Sequence, residues 1–89
     1  MKAIKKPVIV DVARWMGDIE SLEEIEKLKN SEFTQEEKLQ FLLHEQVLIP
    51  TLEGPLTANL GDYVIRGVRG ELYPVKPDIF EETYDIVSD

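Results

Sequence analysis

Residues 46–75 read QVLIPTLEGPLTANLGDYVIRGVRGELYPV, and β-forming side chains alternate with other residues between short turns in this stretch. Such alternation is typical of strands whose side chains point in turn to opposite faces of a sheet. Pro50 cannot donate to a sheet ladder, so it predicts an edge strand or a bulge. The predicted strands are 47–52, 56–58, 63–68 and 71–75, joined by turns at 53–55, 59–62 and 69–70.

Two helices are predicted upstream of these strands. Ser21 with Glu24, and Thr34 with Glu37, match the capping-box pattern, in which a hydroxyl and a carboxylate satisfy the first N–H groups of a helix. Leucine and isoleucine residues then recur at helical spacing behind each box. We therefore place helices at 19–29 and 35–45.

The two ends of the chain carry further β-forming residues. The run 5–15 predicts a strand, and since both of its faces carry apolar groups we expect an interior strand. Asp11 would then lie between two apolar faces, paired with Arg14 or capping a main-chain group. Residues 76–82 predict a short helical turn, and 84–87 a last short strand.

The order of a strand, two helices and then a run of strands indicates an α+β fold. Eighty-nine residues suit a single domain, 1–89, with a helical segment at 18–45 and a β-rich segment at 46–89. We expect a small antiparallel sheet of about five strands, with the N-terminal strand inserted and two helices covering one face. The predicted core residues are Trp15, Ile65, Leu72, Phe80 and Tyr84.

The net charge of −8 is spread unevenly along the chain. Residues 1–17 carry +3, residues 18–45 carry −6, residues 46–77 are neutral, and residues 78–89 carry −5. This balance disfavours direct binding to nucleic acid and favours a basic protein partner, or simple solubility.

Several classes of site are not expected from the composition. The chain has no cysteine, which excludes a disulfide framework, a thiolate nucleophile and a zinc–cysteine site. Its single histidine, His44, ends a predicted helix, where an imidazolium complements the helix dipole. We expect no cofactor, no metal site, no enzymatic activity, no membrane segment and a cytoplasmic location.

The stretch from Gly61 to Tyr84, GDYVIRGVRGELYPVKPDIFEETY, resembles a family of small uncharacterised proteins encoded by phages and prophages, chiefly of Gram-positive bacteria. The family pattern has a Gly-Asp-(Tyr/Trp) turn, then I-R-G-V-(K/R)-G-E-(F/L)-Y-P and K-P-D-I-F-E-x-T-Y. Members often have proline before the Gly-Asp turn, where this chain has Leu60. The resemblance covers roughly half the chain and fades over the helical segment. It implies a phage context and carries no catalytic residues to this chain.

Two functional hypotheses follow from the charges and the polar clusters. The first is an accessory protein that binds a host or phage protein stoichiometrically through an acidic helical face represented by Glu23, Glu26 and Glu37. In its sharpest form it inhibits a host defence or DNA-handling enzyme. The alternative is a module that sequesters a nucleotide-like anion on the 63–76 hairpin. A two-residue loop at 69–70 would place Arg66 opposite Tyr73, with Arg69 and Glu71 beside them.

Overall fold

The computed structural model describes residues 1–4 and 6–87, and in these residues the chain forms five strands and three helices. The elements in chain order are β1 (Asp11–Arg14), α1 (Ile19–Lys29), α2 (Gln35–His44), β2 (Gln46–Thr51), β3 (Gly54–Asn59), β4 (Tyr63–Arg66), β5 (Leu72–Val75) and α3 (Pro77–Thr83). The predicted α+β class, the antiparallel pairing and the N-terminal first strand are confirmed.

The strands divide between two antiparallel sheets, of order β1-β4-β5 and β2-β3, where one sheet was expected. The main chain of Trp15 explains the division. Its N–H donates to the Asp62 carbonyl at 2.9 Å, and its carbonyl accepts from the Gly61 N–H at 2.7 Å. The chain leaving β3 is therefore held against the end of β1, and β4 continues along β1 instead of pairing with β3.

β1 is an edge strand, so the prediction of an interior strand is wrong. Among the described residues it pairs with β4 alone. It begins at Asp11, whereas the prediction began at residue 5, which lies outside the described residues. Asp11 is exposed and is not held between apolar faces. Arg14 does not pair with it, because its guanidinium donates to the Gly61 carbonyl at 3.0 Å and lies over the Tyr63 ring.

Both helices have the predicted bounds to within one residue, but only the second has the predicted cap. At α2, Thr34 and Glu37 form the capping box. At α1 the N-cap is Asp18, whose carboxylate accepts from the Ser21 N–H at 2.8 Å, so the predicted Ser21–Glu24 box is wrong. Ser21 is instead buried inside the first turn, where its hydroxyl accepts from the Met16 N–H.

The three-stranded sheet separates two apolar clusters. On one face, Trp15 and Leu72 belong to a large cluster that also takes in α1, α2 and the β2-β3 sheet. On the other face, Ile65 and Phe80 form a smaller cluster beneath α3, with Tyr84 partly buried against it. Of the five predicted core residues, all except Tyr84 are buried as expected. Residues 84–87 form no strand, because the chain leaves the sheet surface after Tyr84 and its next three side chains are exposed.

Candidate functional site

Glu26, predicted to contact a partner, is part of the folded interior. Only 8% of it is exposed. Its carboxylate accepts from the Phe33 N–H at 2.7 Å and lies 3.4 Å from the Lys38 ammonium. It thereby fixes the connection between α1 and α2, and it is not available to a partner.

Glu37 also has a structural role, whereas Glu23 does not. Glu37 closes the capping box by accepting from the Thr34 N–H at 2.9 Å, and this main-chain hydrogen bond lowers the pKa of its carboxyl. Glu23 is exposed and makes no ion pair or hydrogen bond with any residue in the described ranges. Of the three predicted contacts, Glu23 alone is exposed and also has no role in holding the fold.

The exposed side of α1 gathers a different set of acids around apolar side chains. Glu20, Glu23 and Glu24 lie three and four residues apart, so they share one side of the helix. Two apolar residues accompany them, Met16 at 52% and Ile19 at 60% exposure. We call these five residues the acidic face.

A shallow depression forms at the N-terminal end of this face. It is lined by the acids of α1's first two turns together with Arg14, Met16 and Ser21. Hydrogen bonds from the hydroxyl and main-chain N–H of Ser21 lower the pKa of Asp18, which keeps the cap charged to lower pH. Glu24 also forms an exposed ion pair with Lys27 at 3.2 Å, a contact of little energetic weight. The depression is therefore negative, and Met16 supplies an exposed apolar side chain within it.

The register predicted for the 63–76 hairpin is wrong by one residue. Ile65 stands opposite Tyr73, and Arg66 opposite Leu72. Paired residues share a face and neighbours along a strand alternate, so Arg66 and Tyr73 lie on opposite faces of the sheet. The predicted stacking of Arg66 on the Tyr73 ring is absent.

The hairpin loop explains the shift. The Gly67 N–H donates to the Glu71 carbonyl at 2.7 Å, which leaves Val68, Arg69 and Gly70 as a three-residue loop. Gly70 has a φ of 81°, whereas Arg69 has no positive φ. A two-residue loop with both residues at positive φ would have strained Arg69.

The proposed anion position at this loop is occupied by the protein itself. The Glu71 carboxylate accepts from the Arg69 N–H at 3.0 Å and lies against Gly67. A ligand anion would have to displace this carboxylate. The geometry therefore does not favour the anion-binding alternative built on Arg66, Arg69, Glu71 and Tyr73.

Tyr73 has the most perturbed acid–base chemistry among the described residues. Burial raises the pKa of its hydroxyl to about 12, with contributions from the Tyr84 hydroxyl at 3.3 Å and the charge of Glu71. Such a hydroxyl stays protonated at neutral pH. It serves as a hydrogen-bonding group in the cluster beneath α3.

The remaining polar groups bring no metal-binding cluster together in the described ranges. His44 is exposed and hydrogen-bonds Gln40, four residues earlier in α2, at 3.1 Å. No group of three or more potential metal-binding side chains lies close together in residues 1–4 and 6–87. Within the same residues, no helix is both long enough and apolar enough to cross a membrane.

One buried acid was not anticipated from the sequence. Asp62 is 3% exposed and accepts from the Asn59 N–H at 2.8 Å and the Lys76 ammonium at 3.2 Å. It thus ties the turn after β3 to the residue before α3. The Asn-x-Gly-Asp order predicted the turn, but no local pattern predicted the ion pair between Asp62 and Lys76.

Comparison with protein-family models, with curated proteins and with solved structures gives no match to this chain. The phage-family resemblance therefore stays a prediction.

Proposed function

We propose that this protein acts by binding another protein stoichiometrically through the acidic face of α1, without turnover. The observation that carries the proposal is the exposure of Met16 and Ile19 among Glu20, Glu23 and Glu24. Apolar groups at the centre of a contact supply affinity, and charges around them supply orientation and association rate.

The chemistry of this face defines the partner. A protein with an apolar patch flanked by lysine or arginine would complement it, because opposite charges steer the encounter of the two surfaces. In the phage context implied by the resemblance, the partner is a host or phage protein, and a host enzyme that handles nucleic acid would present such a basic surface. Inhibition of a host defence or DNA-handling enzyme is the form of the proposal that this chemistry favours.

The test must avoid acids that maintain the fold. A triple reversal of Glu23, Glu26 and Glu37 would damage the α1–α2 connection and the cap of α2. The variant Glu23→Lys/Glu24→Lys changes two exposed positions beyond the first turn of α1, where each charge matters to stability by only about 0.3–0.5 kcal/mol. The matched control is Glu81→Lys/Glu82→Lys, which makes the same change in net charge at exposed positions of α3.

The measurement is affinity capture from a host lysate at constant salt, with thermal unfolding of each variant as the check on folding. We expect the wild-type protein and the α3 control to retain the same specific partner, and the α1 variant to lose it. Equal capture by both folded variants would show that the acidic face is not the contact.

A further inference from the structure

The sheet edge beside the acidic face has no strand paired with it. β1 pairs with β4, and no other described strand pairs with β1. Trp15 directs its N–H and carbonyl toward β4, and the direction of these main-chain groups alternates along a strand. The N–H and carbonyl of Ala13 therefore also face β4, whereas those of Val12 and Arg14 face outward. An edge with unpaired outward groups is a template for another strand.

The N-terminal arm, residues 1–10, has the composition of such a strand. Val8, Ile9 and Val10 are β-forming residues, yet the described part of the arm belongs to no strand. Ile4 is 95% exposed, Val8 54% and Ile9 85%. In an arm that extends β1 with the same alternation, the missing N–H of Pro7 would fall on the side away from the open edge, so proline would not obstruct pairing there.

The charge of the arm favours it over other segments as the strand that pairs with the open edge of β1. The arm carries Lys2, Lys5 and Lys6 and no acid. Beyond the end of β1, the negative depression is lined by Arg14 and Met16 together with the acids of α1, and no β4 residue lines it. It therefore adjoins the C-terminal end of β1. A strand that runs antiparallel along this edge carries its own N-terminal residues toward the depression.

We propose that a second copy of this chain pairs with the open edge of β1, with its basic arm running toward the acidic face of the first copy. The arrangement has two-fold symmetry, so each copy gives its arm and receives the other. The local attraction acts against the repulsion between two molecules of net charge −8.

Charge also disfavours two registers of the paired arms. A two-fold axis at Asp11 would oppose two Asp11 side chains, and an axis at Val10 would oppose Lys6 and Arg14. Like charges directly opposite each other are destabilising. An axis at Ile9 avoids both pairs, sets Val8 against Val10, and brings Lys2 opposite Met16 in the depression.

The first experiment is a charge exchange read by light scattering after size exclusion, over a series of protein concentrations. The wild-type protein should reach roughly 20 kDa, twice the 10.2 kDa of one chain, as expected of a symmetric dimer. Lys2→Glu/Lys6→Glu and Glu23→Lys/Glu24→Lys should each remain monomeric when alone. Mixed in equal amounts they should form a heterodimer, because each reversed surface meets its complement. The Glu81→Lys/Glu82→Lys control should dimerise like the wild-type protein.

A second measurement uses the absence of native cysteine. Ile9→Cys should form a disulfide-linked dimer under mild oxidation, since residues facing each other across the axis have Cα atoms within disulfide range. Leu52→Cys, at a position that is 91% exposed, is the control and should link at least tenfold less.

A wild-type monomer at all concentrations would overturn the proposal. So would a mixture of the two reversed chains that stays monomeric, or Ile9→Cys that links no more than Leu52→Cys. A foreign partner on the acidic face would have to displace this arm. These readouts use the protein alone, so their failure is independent of whether such a partner binds.

Discussion

Carboxylates that look equivalent in the sequence differ in role because their surroundings differ. Glu23 and Glu26 each come directly after an apolar residue of the α1 pattern. Glu23 is nevertheless exposed, whereas the Glu26 carboxylate accepts a hydrogen bond from the Phe33 N–H. The partner of Glu26 lies seven residues away, in a connection whose path depends on how α2 packs. The spacing of apolar residues locates the helix, but it does not show which carboxylate the connection to α2 will bury.

Replacing Glu26 tests this difference. We expect Glu26→Ala to lower the free energy of unfolding by about 1–3 kcal/mol, because the buried Phe33 N–H loses its acceptor. Glu26→Gln keeps an acceptor oxygen and should lose less. Glu23→Ala should stay within about 0.5 kcal/mol of the wild type, as is usual for exposed positions. Denaturant unfolding would measure all three, and a wild-type value for Glu26→Ala would contradict the structural role.

Tyr73 predicts a dependence of stability on alkaline pH. Burial raises the pKa of its hydroxyl from 10.0 to about 12, so its contribution to stability is fully present below pH 10 and is lost as the pH rises toward 12. Ultraviolet titration of tyrosinate should show one hydroxyl ionising late. Tyr73→Phe should reduce the loss of unfolding free energy between pH 10 and 12. If the unfolding free energy of the variant falls as steeply with pH as that of the wild type, Tyr73 is not the cause of the loss.

At the scale of elements, regular patterns were predicted well and connections were not. The bounds of α1, α2 and α3 and the presence of β2 to β5 follow from periodicity, caps and turn residues. The predicted register of the β4–β5 hairpin was wrong because the Arg-Gly pair suggested a two-residue loop, whereas the hydrogen bond from Gly67 to Glu71 closes a three-residue loop in which Arg69 has no positive φ. The edge position of β1 depends on contacts between distant segments, and no local pattern reports it.

The short helix α3 is attached to the sheet mainly through one aromatic ring. Phe80 is 4% exposed and stacks on Tyr63, with ring centroids 3.8 Å apart. Phe80→Ala should cost about 3–5 kcal/mol, which would unfold much of a domain this small. Ile79→Ala, at a neighbouring position that is 50% exposed, is the control and should cost under about 1 kcal/mol. Equal losses in denaturant melts would show that α3 is not anchored by Phe80.

At the scale of the whole molecule, the helical segment is acidic as predicted, but its acids do not all have the role that was predicted for them. The acids predicted to form one helical surface divide between structural positions, such as Glu26 and Glu37, and the acidic face of α1. The sequence therefore indicated the helical segment of the candidate interface and one of its residues. Ile19 was missed because a helical apolar pattern predicts burial, whereas it lies exposed at the start of α1. Met16 was missed because it precedes the helix and belongs to no such pattern.

Calorimetric titration of the captured partner into the purified protein tests the central proposal most directly. We expect saturation at a fixed integer ratio, and a dissociation constant at least tenfold higher, about 1.4 kcal/mol weaker, for Glu23→Lys/Glu24→Lys than for the wild type. The Glu81→Lys/Glu82→Lys control should bind with wild-type affinity. Equal affinities for the wild type and the folded α1 variant would contradict the account.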